Sequence, residues 1–124
     1  MNDSEMALFQ SLLSGLPDNL FIFPKMRIAD IVDVVNGNGY YQRRNQILPK
    51  HVDFLICNDK MTPLIAIELD GSSHNKPSRM ERDQLVDDVF EDAELPLYRV
   101  QVGDNFKISV STVLSEIEKQ TLTY

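Results

Sequence analysis

Apolar residues recur along the chain at two spacings, one typical of helices and the other typical of buried strands. Helical spacing occupies residues 4–15, where Gly15 and Pro17 follow as stop signals. The same spacing recurs at residues 28–35 and, near the end of the chain, at residues 109–120. We therefore predict an amphipathic first helix, a short second helix and a helix close to the end of the chain.

Strand patterns lie between these helical segments. HVDFLIC and PLIAIEL are dense in branched and aromatic residues, and the polar turn NDKMT joins them, so they predict a hairpin. LFIFPKMRI is also expected to be extended, but Pro24 limits it to an edge or irregular strand. Pro96 starts a further strand, PLYRVQV. The Asn-Gly pairs of NGNG favour turns, so we predict a mobile flap there.

One more helix is predicted between the hairpin and the last strand. Ser78 and Glu81 have the Ser-x-x-Glu spacing of a capping box, and apolar residues follow at helical spacing. A helix in this place implies a parallel crossover. The order of elements predicts an α/β fold, a sandwich of helices around a small mixed β-sheet, and 124 residues are expected to form one domain, 1–124. The expected apolar side of this helix comprises Met80, Leu85, Val89 and Phe90.

The stretch IELDGSSH ends the second hairpin strand with Glu68 and Asp70 and continues to His74. Burying unpaired carboxylates costs several kcal/mol or forces them to take up protons. Folding gains little from such an arrangement. Either these acids are solvated and incidental, or they bind a cation.

Counting across the predicted hairpin adds a third acid to this place. If Asn58 faces Pro63 across the turn, counting back along both strands puts Asp53 opposite Glu68. Side chains alternate between the faces of a sheet, so Asp53, Glu68 and Asp70 would share one face.

Converging carboxylates are ligands that Mg²⁺ or Mn²⁺ prefers, with water and substrate phosphate completing the shell. A divalent cation suits phosphodiester hydrolysis, because it lowers the pKa of a bound water and stabilises charge on a phosphoryl oxygen. His74 is a candidate general acid or base. The basic residues expected to contact nucleic acid are Lys50, Lys76, Arg79 and Arg82.

The net charge of −7 argues against tight nonspecific binding to nucleic acid, because phosphate affinity comes largely from Lys and Arg. The charge is uneven, however. Residues 25–50 hold five basic residues and two acids, whereas residues 81–94 hold seven acids and one arginine. We expect a local basic face for DNA, and the acidic helix at 81–94 is an alternative surface for a protein partner.

The sequence also limits the expected location and redox chemistry of the protein. No apolar run approaches the roughly 20 residues that a membrane span needs, and the first residues lack a secretory signal pattern. We therefore expect a cytoplasmic protein with no membrane partner. The single cysteine, Cys57, lies in an apolar run and is expected to be a small buried hydrophobe.

Several motifs in order carry a family resemblance. Asp53, followed after the hairpin by Glu68-Leu69-Asp70, resembles the PD-(D/E)XK nuclease superfamily, and IELDGSSH is similar to its branch of very-short-patch-repair endonucleases. More specifically, the chain resembles an uncharacterised bacterial domain family of that group. Five segments carry it: FPKMRIADIV, KHVDFLIC, IELDGSSH, Arg82-Asp83 and AELPLYRV.

The resemblance implies a restriction-endonuclease-like fold and a Mg²⁺- or Mn²⁺-dependent endonuclease acting on DNA. It implies metal ligands at Asp53 and Glu68 and a catalytic or water-orienting role for His74. Asp70, on the same predicted face, is a third candidate ligand and catalytic acid. Asp70 stands where the superfamily usually has a lysine that positions the attacking water, although the short-patch-repair branch also lacks that lysine. A degenerate nuclease fold that only binds nucleic acid or protein is therefore the alternative.

Overall fold

The order of helices and strands is that of a mixed α/β protein. The computed structural model describes residues 1–35, 50–71 and 77–122. NGNG, His74, Lys76 and the basic pair Arg43 and Arg44 lie outside these residues. The described elements are α1 (Asp3–Gly15), β1 (Phe21–Arg27), α2 (Ile28–Val35), β2 (His51–Cys57), β3 (Pro63–Asp70), α3 (Pro77–Asp92), β4 (Leu97–Gln101) and α4 (Phe106–Leu122).

The four described strands form one sheet in the order β1-β2-β3-β4. β1 and β2 are antiparallel, as are β2 and β3, whereas β3 and β4 are parallel. The α3 helix therefore crosses between two parallel neighbours, which confirms the predicted crossover. β1, with Pro24 in it, lies at one edge, where a missing N–H disturbs the ladder least.

Helices cover both faces of the sheet, so the predicted sandwich is confirmed. Residues of α1 and α4 pack on one face, which we call the α1–α4 face, and residues of α2 and α3 pack on the other, the α2–α3 face. Cys57 is buried on the α2–α3 face, as expected. No helix in the described part of the chain is long and apolar enough to cross a membrane. The sheet residues of the α1–α4 core are Phe54, Ile56, Ile65, Ile67 and Val100, and those of the α2–α3 core are Val52, Leu55, Cys57 and Ala66.

The hairpin has the predicted offset between β2 and β3 from Phe54 to Ile56, but a bulge near the turn produces it. The turn pairs Cys57, not Asn58, with Pro63, and the register then shifts between Ile56 and Cys57. Beyond that bulge the pairs are Ile56 with Ile65, Leu55 with Ala66 and Phe54 with Ile67, and one further step along both strands from the last pair leads to Asp53 and Glu68. The assumed turn pairing was wrong by one residue, and the bulge compensates for it.

The beginning of α3 differs from the prediction. The helix begins at Pro77, so Ser78 lies inside the first turn and cannot serve as the N-cap. Proline favours the first helical position because its φ is already helical and its missing N–H would have no partner there. Met80 is 59% exposed, so it does not belong to the apolar side, which consists of Val86, Val89 and Phe90 with Leu85 partly buried.

The end of α3 requires a left-handed residue. Glu94 has φ of 57°, its N–H donates to the Glu91 carbonyl at 3.0 Å, and the Leu95 N–H donates to the Phe90 carbonyl at 3.0 Å. This is a Schellman motif, and the buried contact of Leu95 with the Phe90 core accompanies it. The motif turns the chain towards β4, which carries part of the site described below.

We expect Glu94→Gly to stabilise the protein by about 0.5–1 kcal/mol, because glycine adopts this φ without the steric cost of a Cβ atom. Glu94 is exposed, so no packing is lost. Urea unfolding measures the difference. Glu94→Ala is the matched control, because it removes the same charge and keeps the Cβ atom; equal stabilisation by both variants would contradict the backbone explanation.

Candidate metal centre

One end of the α2–α3 face is charged instead of apolar. Ala66 belongs to the core on this face, and the alternation of side chains along β3 puts Glu68 on the same face. Asp53 lies next to it at this end of the hairpin, because its carboxylate accepts a hydrogen bond from the Leu69 N–H and its charge acts on Glu68. The α3 helix covers this end with its first turns. We call the group the acid–arginine cluster; its members are Asp53, Glu68, Asp70, Arg79, Arg82, Asp83, Asp87 and Arg99.

Asp53, near the beginning of β2, forms a hydrogen bond with the last part of the neighbouring strand β3. Its Oδ2 atom accepts a hydrogen bond from the Leu69 backbone N–H at 2.7 Å. Burial raises the pKa of the Asp53 carboxyl group above its ordinary value, while the Leu69 N–H opposes this shift. The bond orients the carboxylate along β3 and leaves its other oxygen for a ligand.

Glu68 is the carboxyl group whose ionisation is most disturbed. It is 3% exposed, and burial together with the charge of Asp53 raises its pKa from 4.5 to about 7. Arg82 and Arg99 oppose this shift without cancelling it. Burial therefore dominates the ionisation of Glu68, and the charge of Asp53 adds to it.

Asp70 has a different environment from the other two acids. It is 3% exposed, its Oδ1 lies 3.7 Å from Arg79 Nη2, and its Oδ2 lies 3.8 Å from Arg99 Nη1. Both are ion pairs too long for hydrogen bonds, and Oδ1 has no hydrogen-bond partner among the described residues. Asp70 thus faces two guanidinium groups, and its role as a third metal ligand stays a prediction.

Asp83 holds the arginines of the cluster together. Its Oδ1 atom lies 3.1 Å from Arg82 Nη1, 3.4 Å from Arg99 Nη1 and 3.7 Å from Arg79 Nε. Asp87 anchors Arg99 further, with its Oδ1 at 2.9 Å from Nη2. The bonds of 3.1 and 2.9 Å are charge-assisted hydrogen bonds, which are among the strongest that side chains form, whereas the two longer contacts are ion pairs only.

Arg99 is the site residue that sequence reasoning missed. In the parallel register of β3 and β4 it stands beside Glu68, and it approaches Asp70 from the next strand. The register of parallel strands joined by a helix depends on how that helix packs, so no local sequence pattern predicts it. The sequence pointed to Arg99 only through the family resemblance, because AELPLYRV, one of its five segments, contains this residue.

The predicted nucleic-acid contacts divide into three groups. Arg79 and Arg82 lie in the cluster, where they pair with acids. Lys50 immediately precedes β2 and is therefore close in sequence to Asp53. Its backbone carbonyl accepts a hydrogen bond from the Ile28 N–H at 3.0 Å. Lys76 lies outside the described residues, as does the predicted catalytic residue His74.

A metal centre in this cluster would use two carboxylates from the described residues. In residues 1–35, 50–71 and 77–122, no three side chains of His, Cys, Asp or Glu form a group able to hold a metal ion. A pair suffices for Mg²⁺, which commonly takes one or two carboxylates and completes its shell with water and substrate phosphate. Asp53 and Glu68 fit this donor set, because both are oxygen ligands and they lie close enough for the charge of Asp53 to raise the pKa of Glu68.

The protein is therefore an α/β sandwich with a pair of carboxylates, one near the beginning of β2 and the other near the end of β3. A family model described as "Protein of unknown function (DUF2726)" matches residues 1–120, so the chain belongs to that family. Searches of the curated proteins and of the solved structures gave no match.

We expect Glu68→Gln to gain stability relative to the wild type as pH rises, in buffer free of divalent metal. The folded protein keeps the Glu68 proton up to a pH of about 7, while the unfolded chain loses it near 4.5, so wild-type stability falls across this window. The variant has no such proton. The difference in free energy of unfolding should change by about 2–3 kcal/mol between pH 5 and pH 8.

Urea unfolding at the two pH values measures this difference. Glu118→Gln, a substitution of an exposed glutamate on α4, is the matched control. If the difference in free energy of unfolding between Glu68→Gln and the wild type is equal at both pH values, the raised pKa of Glu68 is contradicted.

Proposed function

We propose that the protein is a nuclease that hydrolyses DNA phosphodiester bonds with a divalent cation, Mg²⁺ or Mn²⁺, held by Asp53 and Glu68. The observation that carries the proposal is the proximity of these two carboxylates: Asp53 accepts a hydrogen bond from the Leu69 N–H, the residue after Glu68, and Glu68 is 3% exposed. Buried like charges are costly, and function is the common reason to retain them. The resemblance to PD-(D/E)XK nucleases supports the same reading.

Each residue of the cluster has a role in this proposal. A cation bound there would polarise a phosphoryl oxygen and make a nearby water more acidic. Asp53, oriented by the Leu69 N–H, and Glu68, held between β3 and α3, supply the two oxygen ligands. His74, four residues after Asp70 in the chain, is the proposed group for moving a proton.

The arginines suit the substrate end of the same site. Arg79 and Arg82 lie in the first turns of α3, and their side chains are 33% and 22% exposed. A guanidinium group can donate two parallel hydrogen bonds to a phosphate, and this geometry suits a DNA backbone. Such local contacts do not require the whole protein to be basic. The proposal places the enzyme in the cytoplasm, where it has access to DNA.

We expect the wild type to cleave DNA with Mg²⁺ or Mn²⁺ and to be inactive in EDTA. Asp53→Asn and Glu68→Gln should each lower the cleavage rate by about 100-fold or more, because charge stabilisation by a cation contributes several kcal/mol. Gel assays on supercoiled, linear and single-stranded DNA, with RNA included, measure the rate. His74→Gln is expected to lower cleavage while leaving Mn²⁺ binding in place.

Asp59→Asn is the matched control for the metal ligands. Asp59 is an exposed acid in the turn of the same hairpin, at the far end of β2 from Asp53. This variant should cleave like the wild type. Absence of metal-dependent cleavage on every one of these nucleic acids would refute the enzymatic proposal.

A second proposal is that the fold is a degenerate nuclease that binds nucleic acid or a protein without cleaving. The ion pairs of Asp70 with Arg79 and Arg99 favour it, because a carboxylate engaged by two cations is a poor replacement for the usual lysine. The exposed acids of α3, among them Glu81 and Glu91, are the surface for a protein partner. Calorimetry distinguishes the two, since Mn²⁺ binding that is lost in Asp53→Asn would exclude this version.

A further inference from the structure

Arg82 covers the carboxylate pair. Its Nη1 atom lies 3.5 Å from Glu68 Oε2, and its Nη2 atom lies 3.4 Å from the carbonyl oxygen of His51, two residues before Asp53 on β2. The guanidinium group therefore spans from the beginning of β2 to the end of β3, across the place where a cation would bind. It is the positive group of the described chain that approaches Glu68 in an ion pair.

The contacts of this guanidinium group are unequal. The bond from Nη1 to Asp83 Oδ1 is 3.1 Å long, whereas the contacts with Glu68 and His51 are at 3.5 and 3.4 Å, near the limit of hydrogen bonding. Arg82 is therefore held firmly by Asp83 on its own helix and weakly by the strands. A rotation of the side chain would break the weak contacts and keep the Asp83 contact.

We propose that Arg82 is an internal counter-cation of the metal site, which a divalent cation displaces from Glu68 and which then turns, still tethered to Asp83, to bind the phosphate of the substrate. This inference rests on the proposed function and adds a regulated step to it. Without metal, the Arg82 guanidinium group stays next to Glu68, with Nη1 at 3.5 Å from Oε2. With metal bound, the same side chain becomes available to DNA.

The charges of the cluster explain why the exchange involves Arg82 alone. A divalent cation next to Glu68 would repel a guanidinium group at 3.5 Å and would attract the carboxylate more strongly than a single charge does. Arg99 is anchored by Asp87 at 2.9 Å, and Arg79 pairs with Asp70 and Asp83 instead of Glu68. These two arginines have no corresponding reason to move.

The decisive measurement is the affinity for Mn²⁺ by calorimetry, without DNA, in the wild type and in Arg82→Gln. Removing the competing cation should tighten Mn²⁺ binding by about 10-fold or more, comparable to the effect of a charge at this distance on proton affinity. Arg79→Gln is the matched control, because it removes an equal charge from the same helix without touching Glu68. Equal tightening by both variants would overturn the proposal, since a general charge effect would then explain it.

A titration of the wild type with Mg²⁺, followed by the NMR signals of the arginine Nε–H groups, tests the movement even if Arg82→Gln fails to fold. The Arg82 signal should shift and broaden, and the Arg99 signal should stay. An unmoved Arg82 signal at saturating Mg²⁺ would overturn the exchange.

The same data separate this inference from the nuclease proposal. Mn²⁺ binding that is lost in Glu68→Gln but unchanged in Arg82→Gln refutes the Arg82 exchange and leaves the metal site standing. If Arg82 moves on metal binding but no nucleic acid is cleaved, the exchange is supported and the proposed nuclease activity is refuted. Absence of Mn²⁺ binding in both the wild type and Arg82→Gln refutes the metal site and the exchange together.

Discussion

The burial of two carboxylates at the end of β3 is the constraint around which the charged part of this structure is arranged. Glu68 and Asp70 are each 3% exposed, and a buried carboxylate without a partner is too costly to keep. Their partners come from elsewhere: Arg79 and Arg82 from α3, and Arg99 from β4. The acids of β3 are therefore tolerated only when the helix and the neighbouring strand dock in one particular register.

This constraint divides α3 into two functional parts. Val86, Val89 and Phe90 pack in the core of the α2–α3 face and supply the hydrophobic stabilisation of the contact. The first turns supply charges to the acid–arginine cluster and contribute specificity more than stability. A helix with this division positions guanidinium groups over the strand ends, because its apolar half holds it rigidly against the sheet.

Much of the site was predictable because it depends on short-range patterns. Two-residue alternation and the length of one hairpin sufficed to bring Asp53 and Glu68 together, even though the assumed pairing of Asn58 was wrong. The bulge between Ile56 and Cys57 was not predicted, because the two-residue alternation of a strand carries no signal for an extra residue in the turn. The capping prediction at Ser78 failed for a local reason, since Pro77 starts the helix one residue earlier.

The sequence by itself determined the order of helices and strands, the faces that enter the core and the position of the carboxylate pair, because these follow from local periodicity and from a hairpin of short span. Only the tertiary structure decided the electrostatic state of that pair. Arg99 is 31 residues from Glu68 in the chain, yet the parallel register of β3 and β4 sets them side by side. Burial then raises the pKa of Glu68 to about 7. Burial and charge proximity are properties of packed elements, and no single segment of the chain carries them.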